Sequence, residues 1–178
     1  MQPRGTTTMV IIFCLAGIFG AAWLTSRKPE KDLPTNRLVF QDRTNNCGAA
    51  VLKMIMNHFG YPISLRDLER KLILSSAGTS LQRIKEVAEE FGLRAHGWTL
   101  RREDLDHIQY PIILFLRRKH FIVADSLDRF GNLSVRDPAV GSLNIPQKSL
   151  ADIWGGEALV FLSDTTSGIR TNEIVKKE

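Results

Sequence analysis

The hydrophobic period of this 178-residue chain changes once, at Gly92, and that change limits the fold more than any other feature. Before it, apolar side chains recur at three- and four-residue steps, the period of a helix with one buried face. Val51, Leu52, Ile55, Met56 and Phe59 form such a stripe over residues 47–59, which Gly60-Tyr61-Pro62 ends. Ser64 is placed to cap a second helix through about residue 72, with Leu65, Leu68 and Leu72 on one face. A third starts at Thr79, whose hydroxyl and Gln82 suit a capping box. It turns Leu81, Ile84, Val87, Ala88 and Phe91 inward before Gly92 stops it. Beyond Gly92 the apolar runs are shorter and richer in β-branched residues. Strands are expected over 93–100, 112–116, 120–125, 133–136 and 157–162, with short helices around 103–108 and within 146–153. Helices first and an antiparallel sheet second is the layout of an α+β fold.

Within this layout one thiol is placed for chemistry. Asn46 is a good N-cap, so Cys47 is expected in the first turn of its helix. Unpaired backbone N–H groups and the positive end of the helix dipole there favour thiolate over thiol. Gly48 reads as leaving room beside the sulfur for a substrate backbone. Taken alone, a cysteine at a helix start is more often a small buried residue. What gives it meaning is the chain order Gln41, Cys47, His120, Asp137, in which His120 opens His-Phe-Ile-Val and Asp137 opens Asp-Pro-Ala-Val-Gly. An imidazole can accept the thiol proton and later protonate a leaving amine, and a carboxylate can hold the ring in the required tautomer. The other histidines, His58, His96 and His107, have no matching surroundings and read as ordinary surface or core residues.

The order and the local words resemble the family C39 peptidases, papain-like cysteine proteases that cleave leader peptides after a double-glycine motif, often as the N-terminal domain of an ABC exporter. In that family a glutamine sits six residues before the cysteine, as Gln41 does. The cysteine is followed by Gly-Ala/Pro-Ala and a helix ending near Tyr/Phe-Gly, matched by Cys47-Gly48-Ala49-Ala50 and Phe59-Gly60. The histidine precedes an aromatic and β-branched residues, and the acid precedes proline. The similarity runs from about residue 38 to 162. It implies a papain-like cysteine peptidase fold, a helical half plus an antiparallel sheet, with Cys47 as nucleophile and His120 as general base and acid. It also implies Asp137 as the residue that orients His120, and Gln41 in the oxyanion hole with the backbone N–H of Cys47. A side-chain donor of that kind contributes on the order of 3 kcal/mol in related chemistry. The implied substrate is a peptide or protein whose leader is cut after Gly-Gly or Gly-Ala. Small residues would pass a narrow channel, and an amphipathic leader helix would dock on an apolar groove. One departure is Asn46, where exporter-linked members usually carry an acid. Another is the lack of a Walker-type phosphate loop, so a partnering ABC exporter would be a separate chain.

Charge and cysteine usage narrow the remaining classes. Of 24 Lys and Arg residues, Arg4, Arg27 and Lys28 lie in residues 1–28, leaving 21 basic against 19 acidic side chains, a balance that argues against nucleic acid. With two cysteines, one in the N-terminal apolar segment, no structural disulfide is expected, and no zinc-ligand spacing occurs. Neither a metal nor an organic cofactor is expected. Residues 6–25 carry no charge, and a stretch of about twenty uncharged residues can span a bilayer. Residues 1–28 are therefore expected to be an N-terminal transmembrane helix anchoring the chain, the alternative being a cleaved signal peptide. Arg27, Lys28 and Lys31 against Arg4 favour a cytoplasmic catalytic domain, with an exported domain as the rival. Residues 29–37 read as a linker, 38–163 as the peptidase domain and 164–178 as a flexible polar tail. Arg117-Arg118-Lys119 reads as a solvated turn, or alternatively as a basic rim that attracts acidic substrate residues. Two rival functions share this scaffold: an inactive module that binds leaders for an exporter, and a thiol-dependent acyltransferase.

Overall fold

A computed structural model describes residues 37–162. Three helices come first: α1 (Cys47–His58), α2 (Leu65–Leu72) and α3 (Leu81–Glu90). Six strands follow: β1 (Arg94–Thr99), β2 (Ile112–Leu116), β3 (His120–Leu127), β4 (Asn132–Asp137), β5 (Gly141–Pro146) and β6 (Trp154–Leu162), with a one-turn helix α4 (Leu150–Ile153) before the last. All pairings are antiparallel, in the order β1-β6-β2-β3-β4-β5, so the α+β layout and the break at Gly92 are as expected.

The central strands are apolar on both faces because both faces are covered. Ile113, Phe121, Val123, Leu159 and Phe161 pack under the helices, with α1 lying on β3 and α3 on β1. Ile112, Leu114, Ile122, Ala124, Ala158 and Val160 point the other way into a second core closed by Leu105, Leu150 and Trp154. A strand buried on both sides loses the alternation of a half-exposed one and reads as a continuous apolar run. Helix α1 is buried from Cys47 through Leu52 and again from Met54 through Met56. It is the hub on which sheet, α2 and α3 all pack.

Two element starts and one whole strand depart from expectation by more than fraying at the ends. Helix α3 begins one residue late: Ser80, not Thr79, is its N-cap, with the Ser80 hydroxyl accepting from the Arg83 N–H at 3.1 Å. The Thr79 methyl is wedged against Gly48, which holds Thr79 in the loop. Strand β5 was not foreseen, because Leu143 and Ile145 alternate over too short a span and are only half-buried. Strand β6 starts at Trp154 rather than residue 157, because Trp154 already pairs with Leu116.

The expected single-pass membrane localisation is corrected. Among the described residues no helix is long and apolar enough to cross a membrane. The longest, α1, has 12 residues, or about 18 Å at 1.5 Å per residue, against roughly 30 Å of hydrocarbon. Residues 1–28, assigned to the anchor, lie outside the described residues, as do 29–36 of the linker and the tail.

Candidate active site

The turn before α1 is set by polar side chains that close on one another. Asn46 is fully buried, and its Nδ2 donates to Asp42 Oδ1 at 2.6 Å and to Glu69 Oε1 of α2 at 2.7 Å. Its Oδ1 accepts from the Arg43 N–H at 3.2 Å, and Arg43 also pairs with Glu69. Asn46 thus occupies the N-cap position without capping through its side chain. The side chain is spent on the loop, which leaves the first N–H groups of α1 near the sulfur uncapped by Asn46.

Cys47 is the first residue of α1, a free thiol 7% exposed. Because α1 lies on β3, its first residue comes against the first residues of that strand, His120 and Phe121. Burial pushes the Cys47 thiol up. Hydrogen bonds from His120 and from the Phe121 backbone, the His120 charge and the Gly48 backbone N–H outweigh it, and the net shift is downward. The His120 imidazole is pushed up to about 9, chiefly by its hydrogen bond to Cys47. Burial opposes that, and Asp137 adds to the rise. Opposite shifts in two hydrogen-bonded groups favour the thiolate–imidazolium pair.

Asp137 ends β4, and its Oδ1 lies 2.8 Å from His120 Nε2. With Nε2 taken, the other ring nitrogen is the one free to face the sulfur. The same Oδ1 accepts from the Ala139 N–H at 2.7 Å, so the turn into β5 fixes the carboxylate before it reaches the ring. Gln41 is tied to this turn by its backbone, N–H to Pro138 O at 2.9 Å. Its side-chain Oε1 is buried with no hydrogen-bond partner among the described residues. A buried amide left unpaired is costly.

Cys47 opens into a cleft of about 440 Å³. Thr44 and Asn45 form one side, and Ala77, Gly78 and Thr79 of the α2–α3 loop form another. That loop is braced by paired Ser75–Gly78 backbone bonds of 3.0 Å and by Asn45 Nδ2 on Ser75 O at 2.8 Å. Phe115, Leu116 and Phe121, the charged hairpin residues Arg117 and Lys119 between β2 and β3, and Gly155 and Glu157 of β6 complete the lining. Gly48 does not face this space. A Cβ there would meet the Thr79 methyl and, at 3.3 Å, Ile84 Cδ1, so its small size serves helix–loop packing and not a substrate backbone. Among the described residues no group of three or more His, Cys, Asp or Glu could hold a metal ion.

The structure therefore brings Cys47 against His120, sets the His120 ring on Asp137 at 2.8 Å and places the Gln41 backbone beside them. His96 and His107 are exposed. His58, at the far end of α1 from the thiol, is pushed down, mainly by burial. Sequence reasoning missed Glu69, whose signal was weak: an acid on the exposed-looking side of a short helix.

Residues 35–166 match the family model described as the Peptidase C39 family. The Colicin V secretion/processing ATP-binding protein of Escherichia coli is 34% identical over 122 residues, covering 68% of this chain and 17% of that one. The chain thus spans about a sixth of that relative's length. Among solved structures, a double glycine motif protease from an AMS/PCAT transporter, in complex with its leader peptide, is 25% identical. That match covers 70% of this chain and 89% of the other, with a TM-score of 0.67. The peptidase domain of Streptococcus ComA, a bi-functional ABC transporter, matches at 23% identity and TM-score 0.66 over 72% of this chain and 99% of its own. That likeness concerns the fold alone.

Proposed function

The chain belongs to the Peptidase C39 family, and from that premise we propose that it is a cysteine peptidase that cuts a leader-bearing peptide after a Gly-Gly type motif. Cys47 is the nucleophile and His120 the base and acid, while Asp137 orients His120 and Gln41 donates to the oxyanion. The observation that supports this most is that His120 interacts with both Cys47 and Asp137, its Nε2 2.8 Å from Asp137 Oδ1, while Cys47 lines a cleft.

The steps follow from the pair's charges. The Cys47 thiolate attacks the peptide carbonyl carbon, and the carbonyl electrons move to oxygen. Rotation of the Gln41 carboxamide by 180° exchanges Oε1 for Nε2, which would present a donor to that oxygen alongside the Cys47 N–H. The His120 imidazolium then protonates the leaving amine as the C–N bond breaks. Neutral His120 next takes a proton from water, which attacks the thioester and frees the acid and the thiolate. Ala77 and Gly78 on the cleft wall suit small residues at the cut. An exporter that carries the processed peptide is part of the same proposal, by analogy with the E. coli relative.

The test is cleavage of a synthetic Gly-Gly leader peptide by the full chain, with the cut mapped by mass spectrometry. Cleavage after the second glycine, lost in Cys47→Ala, is the expected outcome. Binding without cleavage by the unaltered chain would favour a leader-binding module. Transfer of the leader to an added amine in place of water would favour an acyltransferase.

A further inference from the structure

Three charged side chains line the same cleft as Cys47 and take no part in the chemistry above: Arg117 and Lys119 on the hairpin between β2 and β3, and Glu157 on β6. All three are exposed, and none belongs to an ion pair among the described residues. Arg118, between the two cations, is exposed but does not line the cleft. The basic run is therefore not a uniform solvated turn, since its first and third members face the thiol's space and the second does not.

The backbone of Lys119 adds an independent observation. The hairpin closes with the Lys119 N–H on Leu116 O at 2.9 Å, and Lys119 has φ +57°. The left-handed position that ends a three-residue hairpin loop is one that glycine fills with least strain. A lysine there does nothing for the turn. It does hold a cation immediately before His120, on the rim of the cleft.

We propose that Arg117 and Lys119 make the cleft select peptides with an acidic side chain close to the cut bond, a specificity that rests on the peptidase reading of the same cleft. Glu157 makes the preference positional. An acid near the two cations is favoured, while an acid near Glu157 is not, so overall peptide charge is not what is read.

The experiment measures binding of fluorescent Gly-Gly peptides to the full chain carrying Cys47→Ala. The peptides bear Asp, Asn or Lys in turn at each position flanking the glycines. At one or more positions Asp is expected to bind roughly fivefold tighter than Asn, the effect of a well-placed exposed ion pair, with the gap closing in high salt. Lys119→Glu should invert that order, and Arg118→Ala should leave it intact. Lys119→Gly should abolish the Lys119 share without lowering the melting temperature, which separates lost charge from lost fold. Equal binding of all peptides, no binding at all, or an Arg118→Ala effect as large as that of Lys119→Glu would overturn the inference. Because binding is read without the nucleophile, failure of the native chain to cleave counts against the peptidase reading and not against this one.

Discussion

Asn46 shows how one residue can be read correctly by position and wrongly by role. It stands at the N-cap, as its type suggests, yet its amide bridges Asp42 and Glu69 and makes no capping bond. An uncharged donor suits that spot, since a carboxylate at 46 would face two others. Asn46→Asp is expected to destabilise the protein by about 1–3 kcal/mol, the cost of exchanging buried hydrogen bonds for like-charge contact. Adding Glu69→Gln should recover part of that loss. Urea denaturation of the two single variants and the double variant measures the coupling, and strict additivity would contradict the bridge. Cys47, His120 and Asp137 were legible because each sits in a distinctive local word. Glu69 was not, because it is joined to the loop only by folding.

At the scale of elements, β4 carries more than the carboxylate. Arg136, just before Asp137, is 2% exposed and grips Asp125 of β3 with two bonds of 2.7 Å. Its third donor reaches Arg37 O at 3.2 Å, so the segment leading to Gln41 is held against the same strand that presents Asp137. Arg136→Met leaves the Asp125 carboxylate unpaired. About 3 kcal/mol of stability should be lost, the low end for a broken buried pair because Asp125 keeps some solvent contact. Adding Asp125→Leu should restore most of it, as thermal unfolding of the pair of variants can show. If the double variant were no more stable than Arg136→Met alone, the loss would have another origin. None of this was visible in the chain, where Asp125 and Arg136 are eleven residues apart in separate strands. The helices were visible, since each carries its own period and stop signal. The α3 boundary slipped because Thr79 and Ser80 are both capping residues, and only packing on Gly48 decides between them.

For the whole molecule, the switch of period at Gly92 was enough to place the nucleophile on helices and the imidazole on a sheet. Which strand would lie under α1 required the sheet order, and it is β3 under α1 that brings His120 to Cys47. The account depends on that meeting producing a thiolate. It is tested by the pH dependence of Cys47 alkylation with iodoacetamide, the labelled cysteine being identified by peptide mapping so that Cys14 does not interfere. A thiol lowered by a neighbouring imidazolium reacts below its reference value of about 8.5. Its rate should rise at a lower pH than that of a free thiol, then change again as His120 loses its proton near pH 9. In His120→Ala the acid-side reactivity should vanish and a single step near the reference value remain. Alkylation of the unaltered chain that rises only near pH 8.5, with no difference in His120→Ala, would contradict the pairing and with it the catalytic reading.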